Sequence, residues 1–274
     1  MLNFESKTTR YSPWNAYHLG QAAKLVYEDD PIIQKTTKFK WQMPKYKFIQ
    51  DLNEDDDETT GTECFVAGDE NKIIVSFRGT ETDQLEDVVT DLKVRFEEGP
   101  LGKVHRGFLG GVESVWEELV DTLNEFQDNG QSLWFTGHSL GAALAHITVA
   151  KLIDDFDRPV YGLYTFGQPR VGDKIFARNF NLEFQSRYFR FVNNNDLVTR
   201  VPFRSMRYRH AGTFLYLDTE NVLHSDIHWW NQFLDNVRGF MDDFGKIGLD
   251  NIKDHNMSDY LEGLEKNKTL QLKF

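Results

Sequence analysis

The chain has 274 residues, with 31 Lys plus Arg against 43 Asp plus Glu, for a formal net charge of −12. That balance argues against nucleic acid as a partner and against strong adsorption to anionic membranes, since both need clustered basic residues. The single cysteine, Cys64, excludes an intrachain disulfide.

The N-terminal stretch MLNFESKTTRYSPW has no apolar run of the signal-peptide kind. Nothing reaches the length of a transmembrane helix. A soluble protein is expected, its compartment left open between cytoplasmic and secreted with the leader absent. The length suits one α/β domain over 1–274, and no linker or internal repeat divides it.

In chain order, Ala16, Leu19, Ala22, Ala23 and Val26 recur at helical spacing and predict a packing helix over Asn15 to Tyr27. A strand is expected at Tyr46 to Ile49. The acidic run Glu54 to Glu58 reads as a solvated loop; calcium is the lesser reading, because EF-hand spacing is missing. Strands follow at Glu63 to Ala67, which puts Cys64 in the core, and at Lys72 to Phe77, whose apolar run Ile73-Ile74-Val75 suits a strand covered on both faces.

The second of these strands ends in Arg78-Gly79-Thr80. From Thr82 to Val94, Leu85, Val88, Val89 and Leu92 form one apolar helical stripe. This is either an ordinary surface helix or a lid over a site. A helix through Val112, Val115, Trp116, Leu119, Val120 and Leu123 comes next.

Then Leu133-Trp134-Phe135 feeds Gly137-His138-Ser139-Leu140-Gly141, and a segment rich in small residues (Ala142, Ala143, Ala145) follows. A G-x-S-x-G between strand and helix is the nucleophile-elbow pattern, in which a strained turn raises the serine hydroxyl above the sheet. Strands are expected at Val160 to Phe166, Tyr188 to Val192 and His210 to Leu217. A helical tail from His224 to Phe244 carries Trp229, Trp230, Phe233, Phe240 and Phe244, weighed as core before acyl groove.

A nucleophilic serine needs a base and an orienting acid, which in this fold follow it in the order acid, then histidine. Of the histidines after Ser139, His146 lies two helical turns into the elbow helix, and His210 opens a predicted strand and suits a structural hydrogen bond. His224, His228 and His255 remain open on order alone. Asp173 and Asp196 both follow strands, and Asp196 is favoured because its strand and loop are better defined.

Several segments, in order, resemble the class 3 (fungal-type) lipase family of the α/β-hydrolase fold. They are IVSFRGTE (Ile74 to Glu81), VHRGF (Val104 to Phe108), TGHSLGAALA (Thr136 to Ala145), YTFGQPRVGD (Tyr164 to Asp173), FVNNNDLVTRVP (Phe191 to Pro202), YRHAG (Tyr208 to Gly212) and DHNMSDYL (Asp254 to Leu261). The resemblance implies a mostly parallel central sheet with helices on both faces and a short helical lid over about 81–94. It also implies Ser139 as nucleophile, Asp196 as acid, His255 as base, and an oxyanion hole from the N–H groups of Thr80 and Leu140. The implied reaction is hydrolysis of acylglycerol esters with no cofactor or metal, on lipid ester substrates and at a lipid–water interface.

The same machinery on phospholipid, galactolipid or feruloyl esters is the alternative, and a non-catalytic lipid- or partner-binding protein stands behind both. The chain departs from fungal members in lacking disulfides. It also lacks an aromatic residue from Thr80 to Leu92, where Glu81, Asp83, Glu86, Asp87 and Asp91 face no base. Weak binding to anionic interfaces is the expectation from that segment.

Overall fold

The continuous apolar runs of the sequence become strands buried on both faces. A computed structural model describes residues 1–51, 61–80, 95–156, 159–225, 253–270 and 272. The strands are β1 (Lys45–Gln50), β2 (Glu63–Gly68), β3 (Lys72–Phe77), β4 (Phe96–Gly99), β5 (Gly102–His105), β6 (Ser132–His138), β7 (Val160–Phe166), β8 (Tyr188–Asn193), β9 (Thr213–Leu217) and β10 (Leu223–His224). The main sheet has eight strands in the order β1-β2-β3-β6-β7-β8-β9-β10. Its centre from β3 to β9 is parallel and its edges are antiparallel. β4 and β5 form a separate hairpin.

Successive side chains of a strand point to opposite faces, and the buried residues divide accordingly. Cys64 and Val66, Ile73 and Val75, and Leu133 and Phe135 join one core; Phe65 and Ala67, Ile74 and Trp134 join the other. The first core is closed by α3 (Arg106–Glu113), α4 (Trp116–Phe126), α5 (Leu140–Phe156) and α6 (Lys174–Phe184). The second is closed by α1 (Pro13–Leu25) and α7 (Met257–Lys266). A short α2 (Asp30–Lys35) leads into a π-helical turn, Thr36–Lys40, before β1. This is the parallel sheet wound with helices expected from the strand pattern, and the α/β-hydrolase architecture that the resemblance implies.

Local corrections have local causes. The single helix expected through Val112 and Leu123 is two: Ser114 ends α3, its hydroxyl donating to Gly111 O at 3.1 Å. Such back-bonding competes with helix continuation, and Val115 leaves the helical region at φ −113°, ψ 2°. The strand expected from His210 starts at Thr213, and His224 lies in β10, not in a helix. The sequence pattern does not reveal α6, although Asp173 caps it by accepting from Phe176 N at 2.8 Å.

The acidic run at Glu54 to Glu58, the stripe Leu85, Val88, Val89 and Leu92, the tail aromatics Trp229 to Phe244, and His228 lie outside the described residues. Among the described residues no helix is long and apolar enough to cross a membrane.

α5 lies so close to the sheet that glycine is required at its start. A Cβ on Gly141 would sit 2.2 Å from the Phe77 carbonyl oxygen, and the following Ala142, Ala143 and Ala145 are fully buried. Gly141→Ala is therefore expected to cost at least about 2 kcal/mol, as overpacking does. Urea unfolding checks this, and an unchanged midpoint would mean that helix and strand are not held at this separation.

Candidate active site

β6 ends at His138 and α5 begins at Leu140, so Ser139 alone makes the turn, at φ +56°. A non-glycine residue there carries strain of about 1–2 kcal/mol. Two backbone bonds hold it: Ser139 N donates to Phe166 O at 3.0 Å, and Ala142 N donates to Ser139 O at 3.1 Å. Gly137 is the other half of the turn, since a Cβ there would lie 2.4 Å from the Gly141 carbonyl carbon and oxygen. Ser139 is 1% exposed.

Asp196 follows β8 and is fully buried. Its Oδ1 accepts from Val198 N at 2.9 Å. Its Oδ2 accepts from the Tyr260 hydroxyl at 2.5 Å and from His255 Nδ1 at 2.8 Å. These donors offset the cost of burying a carboxylate, which is large for an unpaired charge. His255 lies in the 3-10 turn Lys253–His255 just before α7. With Nδ1 donating to Asp196, Nε2 is the acceptor of the neutral ring, and this buried nitrogen has no hydrogen-bond partner among the described residues.

The strand ends bring these groups together. Gly167, next after β7, is left-handed at φ +62°, and a Cβ on it would lie 2.6 Å from His255 Cε1 and 2.9 Å from Asp196 Oδ2. Gly79, next but one after β3, would place a Cβ 3.2 Å from that of Ser139. Thr80 follows it directly, half-buried. Leu140 opens α5, where first-turn N–H groups have no carbonyl partner within the helix. A hydroxyl on a strained turn, an imidazole fixed by a buried carboxylate and nearby amide donors form the set needed to activate an oxygen nucleophile.

Two supports were not legible in the sequence. The Asn193-Asn194-Asn195 run is tied to the histidine turn: Asn193 Nδ2 donates to Asp254 O at 2.9 Å, and Asn194 Nδ2 to Asp254 Oδ2 at 3.0 Å. His138 Nε2 donates to His255 O at 2.7 Å, so its Nδ1 accepts from the Tyr27 hydroxyl at 3.0 Å. Burial, and then the neighbouring His255, hold His138 well below the ordinary histidine range, against the pull of its backbone bond.

The rejected candidates have structural partners. His210 Nε2 donates to Thr199 O at 2.8 Å, His224 pairs with Asp218 at 2.8 Å, and Asp173 caps α6. His146 is buried beside Gln168 Nε2 at 3.1 Å.

The profile of the class 3 lipases matches residues 74–206, which hold Ser139, Asp196 and the end of β3. Over that segment, just under half of its length, this chain is similar to the class 3 lipases. It is 29% identical over 249 residues to the triacylglycerol lipase OBL1 of Arabidopsis thaliana, covering 72% of this chain and 48% of that one. It is 36% identical over 152 residues to the chloroplastic phospholipase A(1) DAD1 of the same plant, covering 47% and 33%. The chain thus spans about half or less of the length of these two relatives. Among solved structures, the native Rhizomucor miehei lipase propeptide complex superposes with a TM-score of 0.59 at 27% identity, covering 76% of this chain and 68% of that one.

Buried neutral histidines give this chain an acid limit. Burial, then Arg190, depresses His146 to about 3; His138 and His210 are also held well below 6.5, chiefly by burial. The unfolded chain binds protons that the folded chain refuses, so this stability is complete above pH 6.5 and is lost progressively below it. At pH 5 the loss from His146 alone is about 2 kcal/mol. Urea midpoints at pH 7.5 and pH 5 should differ, and His146→Gln should shrink the difference; an equal difference in both proteins would refute the assignment.

Proposed function

We propose that this chain hydrolyses lipid carboxylesters, acylglycerols foremost, through Ser139, Asp196 and His255. The observation that carries the proposal is the buried Asp196–His255 bond of 2.8 Å, with His255 Nε2 left unbonded at the sheet edge where the strained Ser139 turn lies. In this reading His255 takes the hydroxyl proton as Ser139 attacks the ester carbonyl. Asp196 holds the ring in the needed tautomer and stabilises its charged form.

The N–H groups of Thr80 and Leu140 bind the oxyanion, where one lost donor costs about 3–4 kcal/mol. The protonated His255 passes its proton to the leaving alcohol. It then activates water, which releases the fatty acid from Ser139. None of these steps calls for a metal or an organic cofactor.

The acylglycerol substrate is supported by the triacylglycerol lipase name of the relative matched over most of this chain. A second reading, phospholipid esters, is supported by the relative named a phospholipase A(1), which is more identical over a shorter stretch. A non-catalytic lipid binder fits less well, because nothing in mere binding accounts for a buried acid–histidine pair beside a strained serine.

A serine-directed phosphonate should label the native protein and fail to label Ser139→Ala. Asp196→Asn should lower kcat by about 10⁴-fold, as loss of the tautomer-fixing acid does in a comparable triad. Labelling that survives Ser139→Ala would defeat the assignment. Hydrolysis rates on triacylglycerol, phosphatidylcholine and galactolipid, measured side by side, decide between the substrate readings.

A further inference from the structure

The net charge of −12 predicts poor attachment to anionic membranes, but folding separates the charges. From Leu197 to Leu217 the chain contains Arg200, Arg204, Arg207 and Arg209 and no acid. This segment leaves the site directly after Asp196, turns through a short 3-10 helix at Arg204–Met206, and runs beside α6. Arg209 N donates to Gly172 O at 2.8 Å just before that helix, and Gly212 N donates to Asn181 Oδ1 at 2.7 Å near its far end.

The outer sides of both elements combine apolar with mainly basic groups, with Glu183 as the exposed acid on α6. Met206 is 40% exposed between the exposed Arg204 and Arg207, at a turn closed by Arg207 in the left-handed region at φ +72°. On α6 the buried side is Phe176, Ala177, Phe180 and Phe184. Its outer side has Ile175 at 60% and Leu182 at 72% exposure, with exposed Lys174 and Arg178 beside them. Among the described residues none of Lys174, Arg178, Arg204 and Arg207 has an ion-pair partner.

The segment starts at the sheet edge that holds Ser139, Asp196 and His255, runs buried from Leu197 to Pro202, and is exposed from Arg204 to Arg207. It also abuts the residues that follow segment 81–94: Tyr208 stacks on Phe96 with centroids 4.2 Å apart, and its hydroxyl donates to Arg95 O at 3.5 Å.

We propose that this loop and the outer side of α6 dock the protein on an anionic phospholipid surface, which orients the sheet edge toward lipid. The proposal rests on the ester-hydrolase reading only for its purpose, not for its binding chemistry. Met206, Ile175 and Leu182 enter the interfacial layer, and the four cations meet lipid phosphates. Glu183, beside Leu182, offsets part of the attraction, while repulsion from more distant acids is screened beyond about 8–10 Å at physiological salt.

The test uses the full chain as Ser139→Ala, so that vesicles are not consumed. Phosphatidylcholine vesicles with and without phosphatidylglycerol are sedimented with it at low and high salt. Binding is expected only to the phosphatidylglycerol vesicles, weakening with salt. Arg204→Glu/Arg207→Glu should weaken it by roughly tenfold or more, given about fivefold per basic residue near such a surface. Lys174→Glu/Arg178→Glu, on the separate helix, should act in the same direction, and Met206→Ser should weaken binding at both salt levels.

With Ser139 restored, all three sets of substitutions should leave hydrolysis of a dissolved short-chain ester unchanged. Equal binding to neutral and anionic vesicles, no binding, or full binding by both charge-reversed variants would overturn the proposal. So would retention on heparin with no vesicle binding. If native protein escapes phosphonate labelling while vesicle binding follows the expected pattern, the catalytic reading falls and the docking face stands.

Discussion

The close approach of α5 to β3 and β6 is the constraint on which the rest depends. The Phe77 carbonyl oxygen at the sheet end stands where a side chain at Gly141 would be, and the Gly141 carbonyl at the helix start stands where one at Gly137 would be, so the chain must pass from strand to helix without them. That passage leaves Ser139 no relaxed conformation, and its φ of +56° is held by the bond from its N–H to Phe166 O. Parallel register does the remainder. Phe77 pairs with Gly137, His138 with Phe166, and Phe166 with Phe191, so four strands release their loops along one edge. Loops beyond the carboxyl ends of parallel strands are where such folds assemble sites.

On that edge, an extensive polar network is buried at some risk to stability. Asp196 has no contact with solvent, and its burial is tolerable because Val198, Tyr260 and His255 all donate to it. Tyr260 is doubly used, since its oxygen also accepts from Asn193 N at 3.0 Å. One α7 side chain thus ties the end of β8 to the carboxylate. His138 plays a comparable part on the other side, fixing the backbone of His255 through its carbonyl. Networks of this kind rigidify when every member is satisfied and are costly when one is not. The one unbonded ring nitrogen among these groups, His255 Nε2, therefore stands out chemically.

Net charge does not say where on the surface the charges lie. The excess of acids is a sum over the chain, whereas a lipid surface meets only the face turned toward it, within a screening length. The arginines after Asp196 are spread through a segment without regular periodicity. Their neighbourhood with Lys174 and Arg178 exists only because the segment is strapped along α6 by Arg209 N and Gly212 N.

Much of this protein was readable from the chain because the demands involved are local. The alternation that divides Ile73 and Val75 from Ile74, the glycine spacing around Ser139, and the helix spacing of Ala16 to Val26 each act over a few residues. Cys64 in a buried strand followed from the same pattern. Where a local competitor intervened, as at Ser114, pattern reading failed, and the charged hairpin of β4 and β5 gave it nothing to detect. The choice among His224, His228 and His255 lay beyond spacing altogether and rested on resemblance. In the folded chain, residues 59 apart in sequence meet as Asp196 and His255, and residues 61 apart meet as Asn193 and Asp254. Sequence alone determined the strands, the elbow and its serine, because steric and periodic rules operate between neighbours. Only the tertiary structure decided which histidine lies against which acid, and which cations share a face. Those pairings depend on how the sheet's loops and the last helix pack, and no local rule encodes that.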